Sequence, residues 1–133
     1  MDRKAVIDIG TNSIKFILAD MGKEGLFEAV TDRNNIARLG EGLKETGLLT
    51  ADAMSRNCEA VKQFADIARA EGANEILAVG TMALRSAKNA VDFTRMVKSA
   101  SGLDVKVLTG DEEAKYSYLA VVSGIGIGKG RLA

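Results

Sequence analysis

The stretch Ala5-Val6-Ile7-Asp8-Ile9-Gly10-Thr11-Asn12-Ser13-Ile14-Lys15-Phe16-Ile17-Leu18 limits the folds open to this chain more than any other segment. Apolar, largely β-branched residues flank four turn formers, which predicts a β-hairpin built from residues 4–9 and 14–20. Strand alternation puts Ala5, Ile7 and Ile9 on one face and Val6 and Asp8 on the other. Asp8 then stands beside the turn. An ionised carboxylate in such a strand is costly to bury without a partner, so the position implies something for it to bind.

The rest of the 133-residue chain extends this start into one α/β unit. Residues 25–31 add a third strand, and the glycines at 40, 42 and 47 make the following stretch a polar connection. From Ala51 to Glu71, Met54, Cys58, Val61, Phe64 (or Ala65) and Ile67 (or Ala68) recur at helical spacing. Thr50 suits the N-cap of this helix and Gly72 its stop. Residues 75–80 form a strand, 89–102 a helix with Asn89 as its cap, 104–109 a strand, and Gly110 to about Val122 a last helix. The order βββαβαβα predicts a mixed sheet, opened by the hairpin and completed by parallel strands reached through helical crossovers.

One lobe over residues 1–123 and a linker over 124–133 are expected. The closing Ser-Gly-Ile-Gly-Ile-Gly-Lys-Gly run imitates a phosphate loop, but Ser123 and Gly130 stand where that pattern needs Gly and Ser or Thr.

Composition removes several chemistries. The chain has no histidine, which excludes Ser-His-Asp and Cys-His mechanisms, and its one cysteine, Cys58, excludes an intrachain disulfide framework and lies on a core stripe. With 18 basic and 18 acidic residues the formal charge is zero, so no global field would recruit nucleic acid or a membrane, and an anionic ligand must be held by local donors. No signal peptide or apolar span of roughly 20 residues is visible, and a cytoplasmic location is expected.

Ligands of α/β sheets gather at the loops beyond the carboxyl ends of strands, and three short segments lie there. In the first, Gly10, Thr11, Asn12 and Ser13 form either a plain hairpin turn or a set of neutral donors for phosphate oxygens. In the second, Arg85 is either a surface-paired cation or a brace holding a phosphoryl group through two parallel hydrogen bonds. The third carries Asp111, Glu112 and Glu113 at a predicted helix start, where the helix dipole alone accounts for acids. Thr109 to Glu112 fits a capping box, which leaves Glu113 available to align and deprotonate a water.

The ordered pieces AVIDIGTNSIKFIL, RLGEGL with TGLLTADAM, AVGTMALRSAKNAVDF and VLTGDEEAKYSYLAV resemble the N-terminal part of the exopolyphosphatase / guanosine pentaphosphate phosphohydrolase family. That family lies within the superfamily of acetate kinase, sugar kinases, Hsp70 and actin. The resemblance implies an actin-like ATPase (ribonuclease H-like) lobe in which Asp8, Gly10, Thr11, Asn12 and Ser13 form a phosphate-binding element. Arg85 would contact phosphate, Glu113 would be the base for water attack, and Mg2+ would bind with Asp8 as a ligand. Thr109 replaces the family's usual serine, and Asp111 fills a variable position.

The resemblance also implies a polyphosphate or guanosine nucleotide substrate and a C-terminal lobe of the same protein as partner, entered through a second, DIGGGS-type loop. The chain given ends before such a loop, so a fragment without appreciable hydrolase activity of its own is expected, with an exposed lobe face that would favour a homodimer. Three rivals remain: a kinase of the same superfamily, a non-enzymatic phosphate or nucleotide sensor, and a structural α/β domain indifferent to phosphate and magnesium.

Overall fold

The computed structural model describes residues 2–21 and 27–112. Three strands come first, β1 (Arg3–Ile9), β2 (Ile14–Met21) and β3 (Phe27–Asn35), followed by α1 (Leu43–Thr46) and α2 (Ala51–Ala70). Then come β4 (Glu75–Gly80), α3 (Met82–Ser86), α4 (Ala90–Ser101) and β5 (Val105–Val107). They form one five-stranded sheet in the order β3-β2-β1-β4-β5. β1 runs antiparallel to β2 and parallel to β4, and β4 runs parallel to β5, giving the mixed sheet that the element order predicts.

The hairpin's alternation becomes its packing. Ala5 faces Leu18, Ile7 faces Phe16 and Ile9 faces Ile14 across the ladder, and all six are buried. These cross-strand pairs share one face. The same core takes in Val61, Phe64, Ala65 and Ala68 of α2 and Phe93 and Val97 of α4. The Phe16 and Phe64 rings stack with centroids 4.9 Å apart and planes 5° from parallel. Cys58 is buried as its stripe predicts, and burial pushes its thiol above the ordinary range, so it packs as a small apolar group.

α2 begins and ends as its sequence predicts. The Thr50 hydroxyl accepts the Ala53 N–H at 3.0 Å. At the other end Gly72, at φ 82°, donates to the Arg69 carbonyl while Ala73 donates to Ala68, the paired bonds of a Schellman stop.

Several boundaries differ from the prediction. β3 runs on through Arg33-Asn34-Asn35, residues of low strand preference, because their ladder to β2 overrides propensity. A register shift opposite Leu18/Ala19 marks an irregularity in that pairing. Two short helices, α1 and α3, occupy stretches expected to be loop or turn. Asn89 does not cap α4 with its side chain. Its amide instead accepts the Leu49 N–H at 2.8 Å and donates to the Leu49 carbonyl at 3.0 Å. Both polar ends of that amide are satisfied by the backbone of one distant residue, which ties the entry of α2 to the start of α4. The last predicted helix is described only over Gly110–Glu112, and the 124–133 linker, Tyr116, Tyr118 and Leu119 lie outside the described residues.

At the opposite edge from the loops discussed below, Arg3 grips Asp20 with two bonds, Nε at 2.6 Å and Nη2 at 3.0 Å. The hydrogen bond from Arg3 holds the Asp20 carboxyl below its ordinary pKa. A depressed folded-state pKa contributes stability that is present above the unfolded value and lost as pH falls through the folded one. The wild-type chain should therefore lose stability on acidification below the ordinary aspartate range, and Asp20→Asn should flatten that part of a melting-temperature profile against pH. An unchanged slope would show that the pair is screened out by water.

Candidate functional site

The carboxyl ends of β1, β3, β4 and β5 all point to one edge of the sheet, and backbone hydrogen bonds bind the loops that leave them. The hairpin turn is closed by Gly10 N–H donating to Ser13 O at 3.0 Å. A Cβ added at Gly10 would stand 2.9 Å from that same Ser13 oxygen, closer than real Cβ contacts come, so this turn needs glycine there. The loop after β3 docks on it, with Gly40 N–H donating to Thr11 O at 2.9 Å and Arg38 N–H to Asn12 O at 3.0 Å.

On the other side, Thr81 N–H donates to the Ile9 carbonyl at 3.3 Å, joining the end of β1 to the loop after β4. Leu108 N–H donates to Gly80 O, and Arg85 Nη1 donates to Leu108 O, each at 2.8 Å. Arg85 thus stitches the ends of β4 and β5 together. Gly80 allows this close assembly, since a Cβ there would overlap the Leu84 side chain of α3.

The turn itself has an uneven pattern of satisfaction. The carbonyls of Thr11, Asn12 and Ser13 each accept a backbone N–H. Their own three N–H groups donate to nothing among the described residues. N–H groups left open in this way are neutral donors available to an anionic oxygen. Asp8 lies next to it, half-buried on the face away from the core, with Lys15 directly opposite on β2 and Val79 beside it on β4.

At the far end of the edge, the predicted capping box is present in full. Glu112 N–H donates to Thr109 Oγ1 at 3.1 Å, and Thr109 N–H donates to Glu112 Oε1 at 3.0 Å. That backbone bond is the main cause holding the Glu112 carboxyl below its usual range, with Lys106 nearby at 3.6 Å assisting. Glu113, the next residue, lies outside the described residues.

The structure therefore brings Asp8, the Gly10–Ser13 turn and Arg85 to one edge, together with the segment that leads into Glu113. It also brings in three residues that the motifs did not single out. Lys15 could have been found from the ladder, because a hairpin closed over Gly10–Ser13 pairs it with Asp8. Arg38 has a left-handed φ of 51° in the loop that braces the turn, and Asn57 is a fully buried polar residue in the α2 stripe. Neither leaves a mark in a period count.

As a metal site the described residues offer little by themselves, since no group of three or more acidic, cysteine or histidine side chains among them could hold an ion. Asp8 fits as a single carboxylate ligand, the kind of sparse protein contact that Mg2+ accepts while keeping waters and phosphate oxygens.

The five-stranded mixed sheet and its strand order are those of an actin-like ATPase-type fold. The family model described as "Ppx/GppA phosphatase family" matches residues 17–132, and the chain belongs to that family. A crystal structure of the Aquifex aeolicus family member superposes with a TM-score of 0.85 at 36% identity, covering 92% of this chain and 40% of that one. Exopolyphosphatase 2 of Mycobacterium tuberculosis is 32% identical over 134 residues, and exopolyphosphatase 1 of the same organism is 28% identical over 130. The first match spans 95% of this chain and 42% of the relative, the second 98% and 38%. The chain thus spans about two-fifths of the curated relatives it matches. Thermus thermophilus RuvC, at 11% identity and a TM-score of 0.52, shares the fold alone. No helix among the described residues is long and apolar enough to cross a membrane.

Proposed function

We propose that the complete protein is a phosphoanhydride hydrolase that releases the terminal phosphate of inorganic polyphosphate or guanosine pentaphosphate in the cytoplasm. The observation that carries this reading is the turn whose three carbonyls are occupied while the N–H groups of Thr11, Asn12 and Ser13 are open among the described residues. These donors lie beside a half-buried carboxylate, an arrangement that suits a phosphate and its counter-ion. Membership of a phosphatase family supports a phosphate group as the ligand of these donors.

In the mechanism that follows, the turn amides and Arg85 hold the terminal phosphoryl group and stabilise the charge that develops on its equatorial oxygens. Glu113 orients a water and accepts its proton as the new P–O bond forms and the anhydride P–O bond breaks, with the shortened phosphate chain as leaving group. Mg2+, when bound, would neutralise phosphate charge, and Asp8 is the residue of this lobe that would hold it. Residues 124–133 would lead to a second lobe that closes the other wall of the cleft, and an isolated first lobe would turn over poorly and self-associate through its open face.

The reading is tested by phosphate release from the full-length protein, assayed separately with polyphosphate and with guanosine pentaphosphate. Release from either supports it, and the ratio identifies the preferred substrate. ADP formation that depends on an added acid or sugar acceptor would make the protein a kinase, and tight phosphate binding without turnover would make it a sensor.

A further inference from the structure

We propose that Arg38 is an additional phosphate-binding cation at the turn, and that Asn57 of α2 is the positioning residue that holds it there. Arg38 is the one non-glycine residue among those described with a positive φ, 51°. That left-handed region is unfavourable for an arginine, and strain of this kind persists only where the surroundings impose it. Its N–H donates to the Asn12 carbonyl at 3.0 Å, which seats its backbone against the turn with the open amides. The side chain is exposed and makes no ion pair or hydrogen bond among the described residues. Arg3 and Arg56 have carboxylate partners and Arg69 and Arg85 are tied to carbonyls, while Arg33 and Arg95 are exposed like Arg38 but have no positive φ.

The strain is imposed from α2. Asn57 Nδ2 donates to the carbonyl of Ala37 at 2.9 Å and to that of Ala53 at 2.8 Å. Arg56 Nε adds a second, longer bond to Ala37 O at 3.3 Å, and its Nη2 pairs with Glu41 at 3.0 Å. The residue before Arg38 is thereby fixed to the helix, and the residues after it are fixed by Gly40 N–H to Thr11 O and Glu41 N–H to Arg38 O. Asn57 is fully buried, and its Oδ1 has no hydrogen-bond partner among the described residues.

The contact between this loop and α2 therefore holds two unfavourable features among the described residues, a left-handed arginine on the loop and a buried unpaired oxygen on the helix. Glycine at 38 would allow the same backbone at lower cost. What arginine adds is a planar, permanently charged fork suited to phosphate oxygens, carried on a backbone that is bonded to the turn with the open amides. The inference rests on the reading that a phosphate ligand occupies the turn, and it adds that the ligand is gripped from the β3 side as well as from the Arg85 side.

The test uses the full-length protein with Arg38→Gly, which keeps the left-handed backbone and removes the charge, and Arg38→Lys, which keeps the charge. Inorganic tripolyphosphate is titrated calorimetrically, and phosphate release is followed at steady state. Arg38→Gly should melt no lower than the wild type, bind tripolyphosphate about tenfold or more weakly, and raise KM for phosphate release. Arg38→Lys should recover part of the affinity. Asn57→Ala should raise KM in the wild-type background and add nothing in the Arg38→Gly background, as expected of a residue that acts through Arg38.

Wild-type affinity in Arg38→Gly alongside normal turnover overturns the Arg38 assignment and leaves the hydrolase reading standing. Tripolyphosphate binding that Arg38→Gly abolishes, in a protein that releases no phosphate, upholds Arg38 and removes the hydrolase. A wild type that binds no oligophosphate overturns both. Equal Asn57→Ala effects in the two backgrounds overturn the positioning role.

Discussion

Replacing Glu113 by glutamine in the complete protein should lower kcat for phosphate release by about 10²–10⁴-fold, the usual contribution of a positioned general base, while substrate binding survives. The argument starts from its neighbour. Glu112 is committed to the helix start by reciprocal bonds with Thr109, and its carboxyl is held below the ordinary range mainly by that backbone contact. A carboxylate so engaged is a poor proton acceptor.

In the helix that the sequence predicts from Gly110 to about Val122, residue 113 would stand about 100° round from Glu112, with no capping duty. The segment that delivers it is anchored to the ligand edge, since Leu108 is bonded through its N–H to Gly80 and through its carbonyl to Arg85. Glutamine keeps size and hydrogen-bonding reach but cannot take a proton near neutral pH, so the loss should fall on turnover and leave tripolyphosphate affinity intact. Glu112→Gln is the paired control and should retain most activity. Retained turnover in Glu113→Gln would remove that residue from the role of base and leave the fold assignment untouched.

The largest stability effect should come from Phe16→Ala, a loss of about 3–5 kcal/mol in urea denaturation, the range for a buried phenylalanine truncated in a packed core. Phe16 is fully buried, lies opposite Ile7 on the ladder and stacks on Phe64 of α2. It is where the hairpin, the central strand and the long helix meet. Removing its ring takes away the transfer energy of the side chain and leaves a cavity that strand pairing on both sides prevents from collapsing. Because the hairpin also carries the Gly10–Ser13 turn, the variant should lose oligophosphate affinity at temperatures where part of the population is unfolded and regain it on cooling. A loss below about 1 kcal/mol, typical of surface positions, would mean that the Phe16–Phe64 contact does not organise the core.

Much of this architecture was legible because it depends on short-range physics. Alternation over Ala5–Ile9 separated the core face from the Asp8 face correctly, and the helical spacing after Thr50 found α2 with its cap and its stop. The capping box was readable because both partners lie three residues apart. The misses share one cause, which is competition from a partner distant in sequence. Asn89 has the chemistry of a cap but gives its amide to Leu49, 40 residues away. Arg33-Asn34-Asn35 have poor strand preference but pair with β2. Asn57 occupies a core position that a count of apolar spacing skips, because its amide serves the loop after β3.

The sequence by itself determined the order of the five strands and the two long helices, the inward face of the hairpin, the small turn that needs glycine at 10, and the acids and arginine available as candidates for phosphate chemistry. It could do so because periodicity, turn preference and capping act over a few residues at a time. Only the tertiary structure decided that the loops after β1, β3, β4 and β5 share one edge, that the turn's carbonyls are occupied while its amides stay open among the described residues, and that Arg38 is bent into a left-handed conformation beside them. Those outcomes depend on strand order and on hydrogen bonds between residues far apart in the chain, and a backbone donor carries no side-chain signature from which its partner could be read.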